Sequence, residues 1–94
     1  MRCTVRFAYV DRGEKSLEVR GDYRPGAWTA GAPMTKRGKT WTADVDVPYG
    51  RDVQYKLYVD GNRWRPDPAA PTATGTDNSR LDAVTCNPHR CQAP

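Results

Sequence analysis

Apolar and polar residues alternate along four segments of the chain, which is the period of a β-strand with one buried face. The apolar positions of this alternation are Val5, Phe7 and Tyr9; Leu17 and Val19; Trp41, Ala43, Val45 and Val47; and Val53, Tyr55, Leu57 and Val59. No window of about eleven residues has the spacing of an amphipathic helix. The pattern therefore predicts half-buried antiparallel strands.

Turn residues separate these segments at intervals of about ten residues. Asp60-Gly61 is the strongest hairpin signal, and it predicts that strand 53–59 is joined to a short strand around Trp64. A last strand is predicted over residues 80–85, with Leu81 and Ala83 facing inward. Short strands at this spacing favour an all-β fold, an antiparallel β-sandwich of about seven strands.

A long segment without alternation precedes that last strand. Residues 65–79 contain three prolines and are predicted to form a loop. A long loop in a compact domain is usually either functional or disordered. With 94 residues the chain is predicted to hold one domain, a sandwich over residues 1–85, followed by a cysteine-containing C-terminal tail at 86–94.

Charge and hydropathy limit the classes of partner that the chain is expected to bind. The net charge is +4, from 15 basic and 11 acidic side chains, but the arginines are scattered rather than gathered in the stripe typical of nucleic-acid binders. No segment approaches the ~20 apolar residues of a membrane span. The N-terminal residues enter a strand pattern with no apolar signal-peptide region, which predicts a cytoplasmic protein. We therefore expect neither nucleic acid nor membrane as a partner.

Catalytic signals are weak. The one histidine, His89, lies in the tail, so no Ser-His-Asp or Cys-His arrangement can be assembled in the body of the domain. Most acidic residues occupy turns or outward strand positions, where solvated carboxylates are expected, and no glycine-rich phosphate loop occurs. The chain is predicted to be a binding module rather than an enzyme, and to need no cofactor.

The three cysteines leave three interpretations open. Free thiols are expected in a reducing compartment. Cys86 and Cys91 could instead close a small disulfide loop, or Cys3, Cys86, His89 and Cys91 could bind zinc, although their spacing is not that of a standard zinc site.

The three tryptophans divide into two kinds. Trp41 shares the inward register of its strand and is predicted to lie in the core. Trp28 and Trp64 are flanked by polar residues near turns, where a large ring has no evident core to fill. Two interpretations remain open for this pair: they stack against a ligand, or they cap the end of the sandwich.

A longer series of segments resembles a known family. In chain order these segments are Val19-Arg20-Gly21-Asp22-Tyr23 with Trp28, Pro33-Met34, Gly38-Lys39-Thr40-Trp41, Pro48-Tyr49-Gly50, Tyr55-Lys56-Leu57-Tyr58-Val59-Asp60-Gly61 with Trp64, Asp67-Pro68, and Asp77-Asn78-Ser79. They resemble carbohydrate-binding module family 48 over about residues 5–84. That family includes the early-set domains of isoamylases and branching enzymes and the glycogen-binding domain of the AMP-activated protein kinase β subunit. The resemblance implies an immunoglobulin-like, early-set sandwich.

The resemblance also implies a binding site. In the family, α-1,4-glucan lies across two tryptophans while a lysine and an asparagine bond to sugar hydroxyls. The matching positions are Trp28, Trp64, Lys56 and Asn78, with Thr76 in the same loop. The implied partners are an α-1,4-linked glucan (glycogen, starch or a maltooligosaccharide) and a glycogen- or starch-metabolising enzyme.

The sequence departs from the family at two places, and both bear on function. The segment from Tyr23 to Trp28 is longer than the F-N-x-W part of the family's G-x-F-N-x-W pattern and contains a proline, and Thr74 stands where the kinase domain has a leucine. These changes predict weaker or differently shaped glucan binding. Two alternative functions stay open: a docking domain that has lost the sugar site, and, from another class, a single-stranded nucleic-acid binder. The latter would use Lys56, Tyr58, Arg63, Trp64 and Arg65.

Overall fold

The computed structural model describes residues 2–83 and, as backbone, residues 91–92. Nine strands form within this range: β1 (Arg2–Val10), β2 (Leu17–Gly21), β3 (Ala32–Pro33), β4 (Thr35–Arg37), β5 (Thr40–Pro48), β6 (Val53–Val59), β7 (Arg63–Arg65), β8 (Ser79–Leu81) and β9 (Cys91–Gln92). The same residues contain no helix, and hence none long and apolar enough to cross a membrane. The predicted all-β class is confirmed.

The strands form two antiparallel sheets. Sheet A has the order β4-β5-β1-β9, and sheet B has the order β3-β2-β6-β7, with β8 pairing to β6 as well. The longest pairing joins β1 to β5 along nine residues of each strand, from Arg2↔Pro48 to Val10↔Thr40. β9 pairs with the first residues of β1, Arg2 and Cys3. The chain therefore returns to sheet A after residue 85. The predicted boundary between domain and tail at residue 85 stays a prediction.

The core lies between the sheets and consists of the apolar residues of the alternating segments. In β6 the odd-numbered residues from Val53 to Val59 are buried and the even-numbered residues face outward. Phe7 of β1 and Tyr55 of β6 make an edge-to-face contact across the sandwich, with ring centroids 4.8 Å apart. Trp41 is only 6% exposed, which confirms its predicted place in the core. Its indole N–H donates a hydrogen bond to the Asp11 carboxylate at 3.0 Å.

The second half of the chain differs from the prediction in two ways. The last predicted strand is shorter, since β8 ends at Leu81. Ala83 is exposed rather than inward, because its N–H bonds to the Asp52 carboxylate at 2.8 Å where the chain leaves the sheet. Residues 84–85 of that predicted strand lie outside the described residues.

The predicted loop 65–79 is anchored along its length. The Asp67 carboxylate accepts a 2.6 Å hydrogen bond from the Tyr55 hydroxyl. The backbone N–H of Asp67 donates to the Ser79 hydroxyl oxygen at 2.7 Å. Farther along, Thr72 forms a β-bridge with Ser79, and Ala73 is buried. These contacts show that the long loop is ordered rather than disordered.

Cys3 is fully buried in β1 and is disulfide-bonded. The expectation of free thiols is therefore wrong for this residue, and a sulfur bonded in this way is not a zinc ligand. The alternative Cys86–Cys91 disulfide depends on Cys86, and the zinc alternative depends on Cys86 and His89. Both residues lie outside the described residues.

Candidate functional site

The outer surface of sheet B carries the candidate functional residues, which face away from the core. Directly paired residues of antiparallel strands place their side chains on the same face. The register pairs Arg20 of β2 with Lys56 of β6, and Tyr58 of β6 with both Glu18 of β2 and Trp64 of β7. Three strands thus place polar and aromatic side chains on one surface.

Three aromatic rings lie together there, and we call Trp28, Tyr58 and Trp64 the aromatic face. Trp64 is 48% exposed, and its ring centroid is 4.8 Å from that of Tyr58. Trp28, which is half-buried, also lies beside Trp64, at a centroid distance of 6.1 Å and with the two indoles inclined by 57°. A cluster of partly exposed aromatic rings of this kind offers flat apolar surface to a ligand.

The turn that carries Trp28 is fixed from beneath. Ala27 is fully buried, and the amide groups of Thr29 and Ala30 both bond to the carbonyl oxygen of Gly26 at 3.0 Å. The buried Tyr23 hydroxyl donates to the Val19 carbonyl at 2.7 Å and accepts from the Ala32 N–H at 3.1 Å. The longer segment, with its proline, therefore forms a turn closed by hydrogen bonds, and Trp28 lies beside Trp64.

Arg20 lies against the aromatic face. Its guanidinium carbon is 3.8 Å from the centroid of the Tyr58 ring and 5.6 Å from that of Trp64. The same group is paired with the Glu18 carboxylate at 3.3 Å and reaches the Trp28 carbonyl oxygen at 3.5 Å. Arg20 thus connects β2, β6 and the turn that carries Trp28.

A row of polar side chains borders the aromatic face, and we call Gln54, Lys56, Asp77 and Asn78 the polar row. The Lys56 ammonium is 2.7 Å from the Asp77 carboxylate, which lowers the pKa of that acid. The Asn78 amide donates to the Gln54 side-chain oxygen at 3.0 Å. This bond leaves the oxygen of Asn78 and the side-chain nitrogen of Gln54 for other partners.

The loop supplying Asp77 and Asn78 closes through a 2.8 Å hydrogen bond from the Ala73 N–H to the Asn78 carbonyl. Gly75, with φ of 78°, forms the bend. The Thr76 hydroxyl accepts from the Asn78 N–H at 3.2 Å, so its own proton is available to donate. Thr74, the residue that replaces the leucine of the kinase domain, is exposed beside the bend.

The structure brings the five predicted site residues, Trp28, Lys56, Trp64, Thr76 and Asn78, to one surface, while their sugar-binding roles stay predictions. The reasoning from sequence missed Arg20, Gln54 and Asp77, and considered Tyr58 only for nucleic acid. The outward alternation of β2 and β6 was the available signal for Arg20, Gln54 and Tyr58. No pattern indicated that Asp77 would meet Lys56.

The structure does not assemble the nucleic-acid platform. Arg63 and Arg65 pair in register with the buried Val59 and Leu57, so they lie on the opposite face of β7 from Trp64. Arg63 pairs with Asp60 at 3.2 Å. Among the described residues, no group of three or more His, Cys, Asp or Glu side chains could hold a metal ion.

The chain forms a two-sheet antiparallel sandwich, and one outer face carries clustered indoles beside polar side chains. This is the architecture of a carbohydrate-binding module. The family comparison is more specific. Residues 3–92 match the family described as the glycogen recognition site of AMP-activated protein kinase, and the chain belongs to this family.

Comparison with solved structures supports the fold. The chain superposes with a TM-score of 0.67 on a crystal structure from Salmonella typhimurium of a protein assigned as an alpha amylase, at 19% sequence identity. The match covers 85% of this chain and 13% of that chain, so this chain spans a small part of the Salmonella protein. The comparison with curated proteins gave no significant match.

Proposed function

We propose that this chain is a non-catalytic module that binds α-1,4-linked glucan, such as glycogen, starch or maltooligosaccharides. The observation that carries the proposal is the pair Trp28 and Trp64, 6.1 Å apart beside Lys56 and Asn78, in a member of a glycogen-recognition family. Sugar rings would stack on the two indoles while the polar row and Thr76 bond to their hydroxyls.

The chemistry of the ligand fits this surface. A glucose ring presents a face of C–H groups that packs on an indole, and its rim needs donors and acceptors. The indoles are inclined by 57°, so a chain that crosses both must turn between them. An α-1,4 linkage turns successive glucose units, whereas a β-1,4 linkage makes a flat ribbon. The inclination therefore favours an α-glucan.

The acids of this face support a non-catalytic role. A glycosidase needs one carboxyl group with a raised pKa, which gives a proton to the leaving oxygen. Asp77 has the opposite property, because the hydrogen bond from Lys56 lowers its pKa. Glu18 is already paired with Arg20 and accepts a hydrogen bond from the Gly31 N–H. Both carboxylates are placed to orient neighbours rather than to protonate a glycosidic bond.

Titration with β-cyclodextrin, followed by calorimetry and tryptophan fluorescence, tests the proposal. We expect Trp64→Ala to weaken binding at least about tenfold, since a central aromatic anchor carries much of the energy of a small site. Tyr49→Ala is the matched control, because Tyr49 is 46% exposed but precedes β6, at the opposite end of that strand from Trp64.

Two results would contradict the proposal. One is an affinity for β-cyclodextrin that Trp64→Ala leaves unchanged, which would refute the site. The other is the absence of binding of β-cyclodextrin and maltoheptaose by the unaltered protein, which would refute the function. Cellohexaose, the β-1,4 counterpart, should bind more weakly than maltohexaose.

As a second candidate, we propose that the sandwich docks onto a glycogen- or starch-metabolising enzyme. The observation that favours it is that the same fold occupies 13% of the Salmonella chain assigned as an alpha amylase. A docking domain would show no retention on amylose or glycogen but would copurify with an enzyme of that metabolism. Retention on amylose without copurification of such an enzyme would contradict the docking candidate and support glucan binding.

A further inference from the structure

The cations on the outer face of sheet B are paired with acids. Arg20 pairs with Glu18 at 3.3 Å, Lys56 with Asp77 at 2.7 Å, and Arg80 with Asp82 at 2.7 Å. Arg80 belongs to this face because it pairs in register with Gln54. Although the chain has a net charge of +4, these three pairs balance the charge beside the proposed site.

The two side chains of the Lys56–Asp77 pair differ in their exposure to solvent. The lysine side chain is only 15% exposed, whereas the aspartate side chain is 75% exposed. Lys56 extends from the middle of β6, and Asp77 comes from the loop that closes between Ala73 and Asn78. A ligand that approaches the ammonium group therefore meets the carboxylate of Asp77 as well.

This arrangement treats neutral and anionic sugars differently. A hydroxyl can accept a hydrogen bond from Lys56 or donate one to Asp77, so the pair satisfies both roles of a neutral sugar. A phosphate group finds the lysine already neutralised and is repelled by the aspartate, and such like-charge repulsion is a common source of specificity. The Asp77 carboxylate is ionised at neutral pH, and the hydrogen bond from Lys56 lowers its pKa further.

We infer that Asp77 is a specificity-determining residue that makes the site select uncharged glucan over phosphorylated glucan. The inference rests on the proposed function, because it concerns the same site. Removing the charge of Asp77 while keeping its shape should expose the positive charge of Lys56 to an anionic ligand.

The test compares β-cyclodextrin with β-cyclodextrin phosphate on the unaltered protein, Asp77→Asn and Asp44→Asn. The control Asp44→Asn makes the same change in net charge by breaking an exposed pair with Arg6 on sheet A, at 2.8 Å. Calorimetry at low and high salt gives both affinities for each protein, and thermal unfolding confirms that each variant folds.

We expect the unaltered protein and Asp44→Asn to bind the neutral ring more tightly than the phosphorylated one. Asp77→Asn should gain affinity for the phosphorylated ring by about fivefold or more at low salt, and high salt should remove the gain. The ratio of the two affinities should therefore shift toward the phosphorylated ring in Asp77→Asn and stay unchanged in Asp44→Asn.

The outcomes separate the two proposals. If the unaltered protein binds neutral β-cyclodextrin and Asp77→Asn leaves the ratio of the two affinities unchanged, the inference is overturned while the proposed function stands. The same holds if the unaltered protein already prefers the phosphorylated ring. If the unaltered protein binds neither β-cyclodextrin nor maltoheptaose, the proposed function fails and the inference fails with it.

Discussion

Arg20 holds the aromatic face together without being one of the predicted sugar contacts. Its guanidinium lies over Tyr58, pairs with Glu18 and reaches the carbonyl of Trp28. Arginine suits this position because its planar group can stack on a ring and bond to an acid at the same time. The geometry of Trp28 relative to Trp64 therefore depends on a residue of a neighbouring strand.

We expect Arg20→Met to lower the free energy of unfolding by about 0.5–2 kcal/mol, the usual value of a cation–π contact. It should also weaken β-cyclodextrin binding several-fold, because Trp28 and Tyr58 lose a common support. Chemical denaturation and calorimetry measure the two effects, and Arg37→Met, at an exposed arginine of β4, is the control. Unchanged affinity in Arg20→Met would show that the aromatic face does not need this arginine.

At the residue scale, the sequence predicted part of the site. The alternation along β6 places Lys56 outward, and the resemblance supplied Trp28, Trp64, Thr76 and Asn78. Arg20 and Asp77 could not be found in this way, because their partners depend on strand register and loop closure. The hypothesis of a nucleic-acid platform lost Arg63 and Arg65 for the same reason, since the register places them away from Trp64.

The turn between β1 and β2 is tied to sheet A through one carboxylate. Asp11 accepts the 3.0 Å hydrogen bond of the Trp41 indole and pairs with the Lys36 ammonium at 2.9 Å. These contacts link the turn to β4 and β5. The hydrogen bonds from Lys36 and Trp41 lower the pKa of Asp11 from 3.8 to about 2.

Asp11→Asn should therefore reduce stability at neutral pH and make it less sensitive to acid. A carboxyl group with a lowered pKa stabilises the fold above its unfolded pKa, and this contribution is lost as the pH falls through the folded value. The unaltered protein should thus lose more stability than Asp11→Asn between about pH 4 and about pH 2. Denaturation across that pH range measures the free energy of unfolding of each protein, with Asp82→Asn as the control. Parallel pH profiles for the unaltered protein and Asp11→Asn would contradict the assignment.

At the element scale, strand length decided what could be predicted. The alternation is long enough to read in β1, β2, β5 and β6, which form the centre of both sheets. β3, β4 and β9 have two or three residues each, too few to show a period. The order of residues 65–79 depends on hydrogen bonds to Tyr55 and Ser79, which proline content and lack of alternation do not indicate.

The whole molecule combines a small core with a covalent link. Cys3 is fully buried in β1 and is disulfide-bonded. The cytoplasmic localisation expected from the sequence stays a prediction.

Reduction should destabilise the protein by about 2–4 kcal/mol, the usual contribution of a native disulfide. Thermal unfolding with and without a reducing agent measures the loss. Cys3→Ser is the control, because its unfolding midpoint should not respond to reduction through this bond. An unaltered protein whose midpoint is the same under both conditions would contradict the disulfide.

The net charge of +4 does not identify the partner of this molecule, because cations beside the proposed site are paired with acids. The central claim is that an uncharged α-glucan stacks on Trp28 and Trp64. It predicts that two of the three tryptophans respond to the ligand, while Trp41, held in the core by Asp11, does not.

Heteronuclear NMR of the three indole N–H signals during titration with maltoheptaose tests this claim most directly. We predict that the signals of Trp28 and Trp64 shift and saturate together, and that the signal of Trp41 stays in place. Signals of Trp28 and Trp64 that do not move at saturating maltoheptaose would contradict the account.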